Sequence, residues 1–194
     1  MENGTSKLTA EELLHLAIES SKKDNTESTI NYLKRAIELN PDDGRTHYLL
    51  AAEHAQIGMY DQAVEEMEHA VRLDPSLHTA SFQLGLIHLS SARIEQAIAA
   101  WAPLNALGEN NFLYLFKTGL EHLIRDEFDQ CVAYLERGIK LNSINPALNN
   151  DMQRVITSTQ EKVKELGLQP PSDDLPPPTG TSHAFISAYT NTKD

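Results

Sequence analysis

The stretch that decides the fold spans residues 44–75 and reads GRTHYLLAAEHAQIGMYDQAVEEMEHAVRLDP. On both sides of Gly58, apolar and small residues recur at intervals of three and four, the spacing of one face of a helix. Glycine adopts the left-handed backbone conformation of a tight turn without steric cost. Pro75 closes the stretch, because proline cannot continue a helix interior. The stretch therefore predicts two antiparallel helices joined at Gly58.

The same skeleton returns at intervals of 34 residues before and after this stretch. Small residues mark the place in each interval where two helices are expected to touch: Ala17, Ala51, Gly85 and Gly119. A helix pair cannot bury its apolar face alone, so successive pairs stack on one another. The period predicts an all-α fold of four helix pairs between residues 9 and 145, at about 10–43, 44–77, 78–111 and 112–145.

Local signals refine this division of the chain. Thr9 followed by Glu12 predicts a capping box at the start of the first helix. Pro103 predicts a kink or an early end in the second helix of the third pair. An amphipathic segment after the fourth pair predicts a capping helix, and a proline-rich composition after it predicts a disordered tail. The leader, the capping helix and the tail are assigned to residues 1–8, 146–167 and 168–194.

Composition narrows the classes of function. The 194-residue chain has a formal net charge of −12, which disfavours nucleic acid and anionic lipid surfaces as partners. No apolar run approaches the roughly 18 residues that span a bilayer, so we expect no membrane insertion. The single cysteine excludes an intrachain disulfide. We expect a cytoplasmic protein.

No motif predicts catalysis, a metal or a cofactor. The chain lacks a phosphate-binding loop, a paired metal motif and a nucleophile elbow, so we expect it not to be an enzyme. His54, His88 and His122 keep the period of 34. Equivalent residues of stacked helical layers lie about 10 Å apart, whereas ligands lie about 2 Å from a shared ion. These histidines therefore predict packing residues, and no metal site is predicted.

The chain resembles the tetratricopeptide repeat family over residues 10–142. The features that match in the second pair are Leu50-Ala51, Gly58, Tyr60-Asp61, Ala63, Ala70 and Pro75. His47 and Ser81 stand where the family has a large aromatic residue, and the first and third pairs lack the turn glycine. The resemblance implies a right-handed α-solenoid whose concave face is lined by the first helix of each pair. It also implies that this face holds a peptide or helix of another protein.

The resemblance also assigns the residues of that groove. The fifth and ninth positions of each pair face the concave side, with few polar residues nearby: Arg45, Gln56, Gln83 and Lys117. These groove residues are Leu14, Ile18, Tyr48, Ala52, Phe82, Leu86, Phe116 and Leu120, with Gln83 and Lys117. They favour an apolar or amphipathic partner segment; the alternative is that the aromatic residues only pack between helices. Of the cations that clamp acidic chaperone tails in one subgroup, only Lys117 is present.

The function expected from this is a non-enzymatic adaptor, scaffold or chaperone-like subunit. The alternative is self-assembly, as a homodimer through the fourth pair, whose residues 112–116 are all apolar or aromatic. The tail could also occupy the groove, in its own chain or in a second copy, with Phe185, Ile186 and Tyr189. Removal of the tail would then change partner affinity or oligomer size.

Overall fold

Helices account for all the regular secondary structure in the part of the chain that the computed structural model describes, residues 8–168. No strand occurs between these residues, so the predicted all-α class is confirmed. The predictions for the leader and for the tail fall mainly on residues 1–7 and 169–194, outside the described part. The α-helices are α1 (Ala10–Ser21), α2 (Thr26–Leu39), α3 (Gly44–Gln56), α4 (Tyr60–Leu73), α5 (His78–Ser90), α6 (Ile94–Trp101), α7 (Phe112–Ile124), α8 (Phe128–Leu141) and α9 (Pro146–Glu165).

The backbone packs as two units, Met1–Ile87 and His88–Asp194, with the boundary inside α5. In the first unit α1 packs on α2, α2 on α3, and α3 on α4. Ala17, Leu33 and Leu50 form the centre of this packing, each 1% exposed. Full burial of one leucine side chain contributes about 1.5–3 kcal/mol, so these contacts hold the first three helices together.

The first helix begins at the predicted capping box. The Thr9 hydroxyl accepts a hydrogen bond from the Glu12 N–H at 3.2 Å. The Glu12 carboxylate in turn accepts one from the Thr9 N–H at 2.9 Å. Both bonds satisfy N–H groups that have no partner inside the helix. The prediction at Thr9 is confirmed.

In the second unit α7 packs on α8, and α8 packs on α9. The α-helix α6 ends at Trp101, and the chain continues as a 3₁₀ helix over Ala102–Leu107. This confirms the early end that Pro103 predicted, because proline has no N–H for the α-helical bond. Gly119 of α7 lies so close to α8 that an added β-carbon would be 2.8 Å from Leu135.

One turn recurs between the two helices of every pair. The residues that adopt a left-handed conformation there are Asp24, Gly58, Ala92 and Asp126, with φ of 54°, 78°, 56° and 57°. In each turn the N–H of the following residue donates to the carbonyl five positions earlier, over 2.8–3.1 Å. This is the hydrogen-bond pattern of a Schellman C-cap. The turn therefore recurs at intervals of 34 residues, with glycine at only one of its four positions.

Candidate protein-interaction surface

The first unit has an apolar pocket between α1, α2 and α3. Its volume is about 160 Å³, close to that of an engineered cavity of about 150 Å³ that takes up benzene. A single leucine or phenylalanine side chain of a partner would fill it. The residues that line it are Ala17, Ile18, Ser21, Lys22, Thr29, Leu33, Leu49 and Glu53. Of the predicted groove residues, Ile18 is the one that contributes to this pocket.

A short hydrogen bond defines the polar side of the pocket. The Ser21 hydroxyl donates to Oε1 of Glu53 over 2.6 Å, and Glu53 is only 7% exposed. A buried carboxylate is stabilised by hydrogen-bond donors and by positive charge. Ser21 and Glu53 were not predicted as site residues, because they belong to helices of different pairs. Nothing in the spacing of either helix indicates that they meet.

A second part of the predicted groove lies between α3 and the part of α5 that belongs to the first unit. Tyr48 and Gln83 form a side-chain hydrogen bond. Burial raises the pKa of Tyr48, and the bond to Gln83 partly offsets this rise. Ala52 and Leu86 lie about one turn further along their helices and, like Tyr48, are half-buried. Leu14 of α1 is also half-buried, against the core that Ala17 and Leu33 form.

Three of the predicted groove residues present no surface. Phe82 and Phe116 are 0% exposed and Leu120 is 1% exposed. The Phe116 ring lies 2.4 Å from where a β-carbon on Gly138 of α8 would be. Its position fits the alternative that the sequence left open, in which the aromatic residues pack between helices. The accessible part of the predicted groove is therefore in the first unit.

Lys117 is occupied within its own helix. Its Nζ lies 3.0 Å from both carboxylate oxygens of Glu121 and 5.5 Å from the centre of the Tyr114 ring. Lys117 is 4% exposed. A buried ammonium with a bidentate carboxylate partner is not available to an acidic chaperone tail.

The apolar run that suggested a homodimer is largely internal to the second unit. Leu113, Leu115 and Phe116 are buried, and Phe112 makes an edge contact to Phe116 at 5.8 Å between ring centres. A wider depression of about 600 Å³ lies between α8 and α9, with mixed polar and apolar walls. An apolar anchor fits this depression less well than the pocket of the first unit.

The periodic histidines occupy equivalent places but have different surroundings. Burial lowers the pKa of His54, and the positive charge of Lys34 acts in the same direction. His122 stacks on Tyr134 at 5.1 Å and contacts Glu127 at 2.5 Å. Contact with His122, and secondly with Arg125, lowers the pKa of Glu127. The carbonyls of all three histidines accept the hydrogen bond that closes the recurrent turn.

A different set of side chains brings possible metal ligands together. His47 of α3 lies beside Glu66 and His69 of α4, with one potential ligand atom from each within 4.8 Å of the others. In the sequence, His47 stands only as a substitute for an aromatic residue, and this cluster was not predicted. The signal that indicates it is the spacing of Glu66 and His69, which puts both side chains on one face of a helix.

None of the described helices is both long enough and apolar enough to cross a membrane. The tetratricopeptide repeat model matches residues 44–77. No curated protein matches the chain in sequence.

Solved structures share the fold at low sequence identity. The anaphase-promoting-complex hetero-tetramer Cut9–Hcn1 matches with a TM-score of 0.70 and 19% identity, over 80% of this chain and 30% of that chain. A MamA structure from Desulfovibrio magneticus RS-1 matches with a TM-score of 0.58 and 17% identity, over 81% and 94%. Another MamA structure has a TM-score of 0.58 and 20% identity, over 68% and 77%. One repeat, residues 44–77, therefore matches the tetratricopeptide repeat model, and the chain shares its fold with these structures.

Proposed function

We propose that the chain is a non-enzymatic adaptor, scaffold or chaperone-like subunit that binds an apolar or amphipathic segment of another protein. The binding surface is the wall that α1 and α3 form in the first unit, together with the adjoining part of α5. Tetratricopeptide repeat proteins generally mediate protein–protein interactions, and this chain has the fold. The pocket between α1, α2 and α3 is the single observation that supports binding on this wall.

The pocket suits one apolar anchor of the partner. Its apolar walls include Ala17, Leu33 and Leu49, and the half-buried Ile18 lies at its edge. Interface energy is concentrated in a few side chains that enter well-packed pockets. Leu14 and Tyr48 extend the surface beside the pocket, so a helix or extended segment could continue along both helices.

The charge of the site favours a basic residue next to that anchor. Glu53 lies at the pocket and is nearly buried, and the whole chain has a net charge of −12. A lysine or arginine of the partner would compensate the buried carboxylate and would be attracted by the acidic surface. The expected ligand is therefore an apolar residue with a basic residue nearby.

The experiment selects random linear peptides on the wild-type protein and measures their affinity by fluorescence anisotropy. Wild type should enrich peptides with an apolar anchor flanked by lysine or arginine. The double variant Leu14→Gln/Ile18→Gln should bind them at least about tenfold more weakly, because it removes apolar contacts at the edge of the pocket.

The matched control is Leu39→Gln/Leu73→Gln, which makes the same change at exposed leucines of α2 and α4. This control should bind the peptides like wild type, and both variants should keep the helical circular dichroism signal. Equal binding by the Leu14/Ile18 variant would contradict the proposed surface, and so would the absence of any enriched peptide.

Self-assembly through the fourth pair has less support, because residues 113, 115 and 116 are buried. Occupation of the groove by the tail stays a prediction, since Phe185, Ile186 and Tyr189 lie outside the described residues. A cytoplasmic location is part of the proposal, and the one buried cysteine, Cys131, is compatible with it.

A further inference from the structure

The cluster of His47, Glu66 and His69 has a feature that ordinary packing does not require. Nδ1 of His47 lies 2.6 Å from Oε2 of Glu66, and Nε2 of the same ring lies 3.0 Å from the carbonyl oxygen of Pro41. Both ring nitrogens of a nearly buried histidine therefore face hydrogen-bond acceptors. His69 lies beside them, with its ring centre 5.5 Å from that of His47.

A neutral imidazole cannot satisfy both acceptors, because only one of its nitrogens has a hydrogen. A backbone carbonyl can only accept, so the hydrogen belongs on Nε2 and is donated to Pro41. The lone pair of Nδ1 then points at the carboxylate of Glu66. A proton between Nδ1 and the carboxylate makes this contact of 2.6 Å favourable, and a metal ion can take the place of that proton when the two atoms move apart.

We propose that His47, Glu66 and His69 bind a first-row transition-metal dication of the Zn²⁺ class. Nδ1 of His47, the carboxylate of Glu66 and the imidazole of His69 are the ligands. Two imidazoles and one carboxylate are a frequent ligand set for such ions. The ligands come from two helices, with Glu66 and His69 three residues apart on α4.

The surroundings of His47 support this assignment over accidental proximity. Histidine ligands of metals commonly donate their second ring N–H to a backbone carbonyl or a carboxylate, which fixes the tautomer and the ring orientation. The contact from Nε2 to Pro41 is of this kind. The side chain of His47 is 7% exposed, which limits its motion, while that of Glu66 is 24% exposed. His69 is also half-buried, so an ion can enter from solvent.

Binding requires only small adjustments. Bond lengths of about 2.0–2.2 Å place ligand atoms of a tetrahedral ion roughly 3–4 Å apart. The three ligand atoms already lie within 4.8 Å of one another. The carboxylate of Glu66 moves outward and His69 rotates inward, and both are at the accessible side of the cluster. The bound ion would cross-link α3 and α4 and so stabilise the second helix pair.

The test titrates the full chain with Co²⁺ at pH 7.5 and follows the visible d–d absorption, then displaces Co²⁺ with Zn²⁺. Wild type should bind one Co²⁺ at this site, and Mg²⁺ in excess should not compete, because it prefers oxygen ligands. The variants Glu66→Gln and His69→Gln should each weaken binding at least about tenfold. Both residues are partly exposed, so the variants should remain folded.

Two variants serve as matched controls. Glu68→Gln removes a carboxylate from an exposed position of the same helix, and His15→Gln removes an exposed imidazole from α1. Both should bind Co²⁺ like wild type. Zinc should also shift the ¹⁵N resonance of Nδ1 of His47 more than that of Nε2. The assignment would be overturned if the wild type bound no Co²⁺, or if Glu66→Gln and His69→Gln bound Co²⁺ as tightly as the wild type. A resonance shift confined to Nε2 would also overturn it.

Discussion

Ala92 occupies a backbone conformation that costs an alanine about 1–2 kcal/mol. Its φ is 56°, in the left-handed region. At the equivalent position of the second pair the residue is Gly58, and this glycine is what made a turn predictable there. The turns at Asp24 and Ala92 could not be predicted from a glycine. They are held by backbone N–H groups that donate to carbonyls of the preceding helix, and every residue type except proline has such a group.

We expect Ala92→Gly to raise the free energy of unfolding by about 0.5–1 kcal/mol. Glycine removes the left-handed strain, and its greater freedom in the unfolded chain cancels part of the gain. Urea denaturation followed by circular dichroism measures the change. Ala133→Gly, at an exposed position inside α8, is the control and should lower the same quantity by about 1 kcal/mol. A destabilised Ala92→Gly variant would show that the β-carbon makes contacts that outweigh the strain.

At the scale of elements, α9 shows how far an apolar stripe predicts burial. The apolar stripe of the amphipathic segment is formed by Leu148, Met152, Val155, Ile156, Val163 and Leu166. The first four of these residues are buried, and α9 packs on α8. Val163 is only half-buried, and Leu166 is 53% exposed. Thr159 of α9 lies beside Cys131, less than one turn from where α8 begins. The end of α9 therefore extends past its partner, and the spacing of apolar residues alone does not indicate where the partner helix ends.

Because α9 packs beside Cys131 of α8, the reactivity of this thiol reports whether α9 stays packed on α8. The thiol is 0% exposed, and burial raises the pKa of Cys131 to about 12. We expect negligible reaction of the folded protein with an aromatic disulfide reagent at pH 8, because only the thiolate reacts. Met152→Ala should increase the labelling rate, since the loss of a buried methionine costs about 2–5 kcal/mol.

Met59→Ala is the matched control, because Met59 is 39% exposed and precedes α4. Its labelling rate should equal that of wild type, and urea-unfolded protein should react fully. Rapid labelling of folded wild type would contradict the burial of this thiol.

At the scale of the whole molecule, the sequence predicted the fold better than the binding surface. The period of 34 predicted the all-α class, which the described residues confirm, whereas only part of the predicted groove is accessible. Leu14, Ile18 and Tyr48 are half-buried, but Phe116 is enclosed against Gly138. Because residue 138 is a glycine, α8 has space for the Phe116 ring where α7 packs on it. Which groove residues are buried therefore depends on contacts between helices, and the residue pattern of one helix does not reveal these contacts.

The net charge of −12 gives a prediction for the whole chain. The affinity for peptides with a basic flank should fall about threefold to tenfold when the ionic strength rises from about 0.05 M to about 0.5 M. Anisotropy titrations at several salt concentrations measure this change. Peptides with the same apolar anchor and a neutral flank provide the control and should show little dependence on salt. An equal salt response of both peptide sets would contradict the expected role of the acidic surface.

The recurrent turn also has a consequence for detecting such chains. The family's sequence model matches residues 44–77. Among the four turns between paired helices in the described part of the chain, the turn in this stretch is the one with glycine at the left-handed position. The other three have the same geometry without glycine. Profiles built on residue identity therefore undercount the copies in a diverged array. A signature based on one left-handed dihedral angle every 34 residues would detect arrays that have lost their glycines.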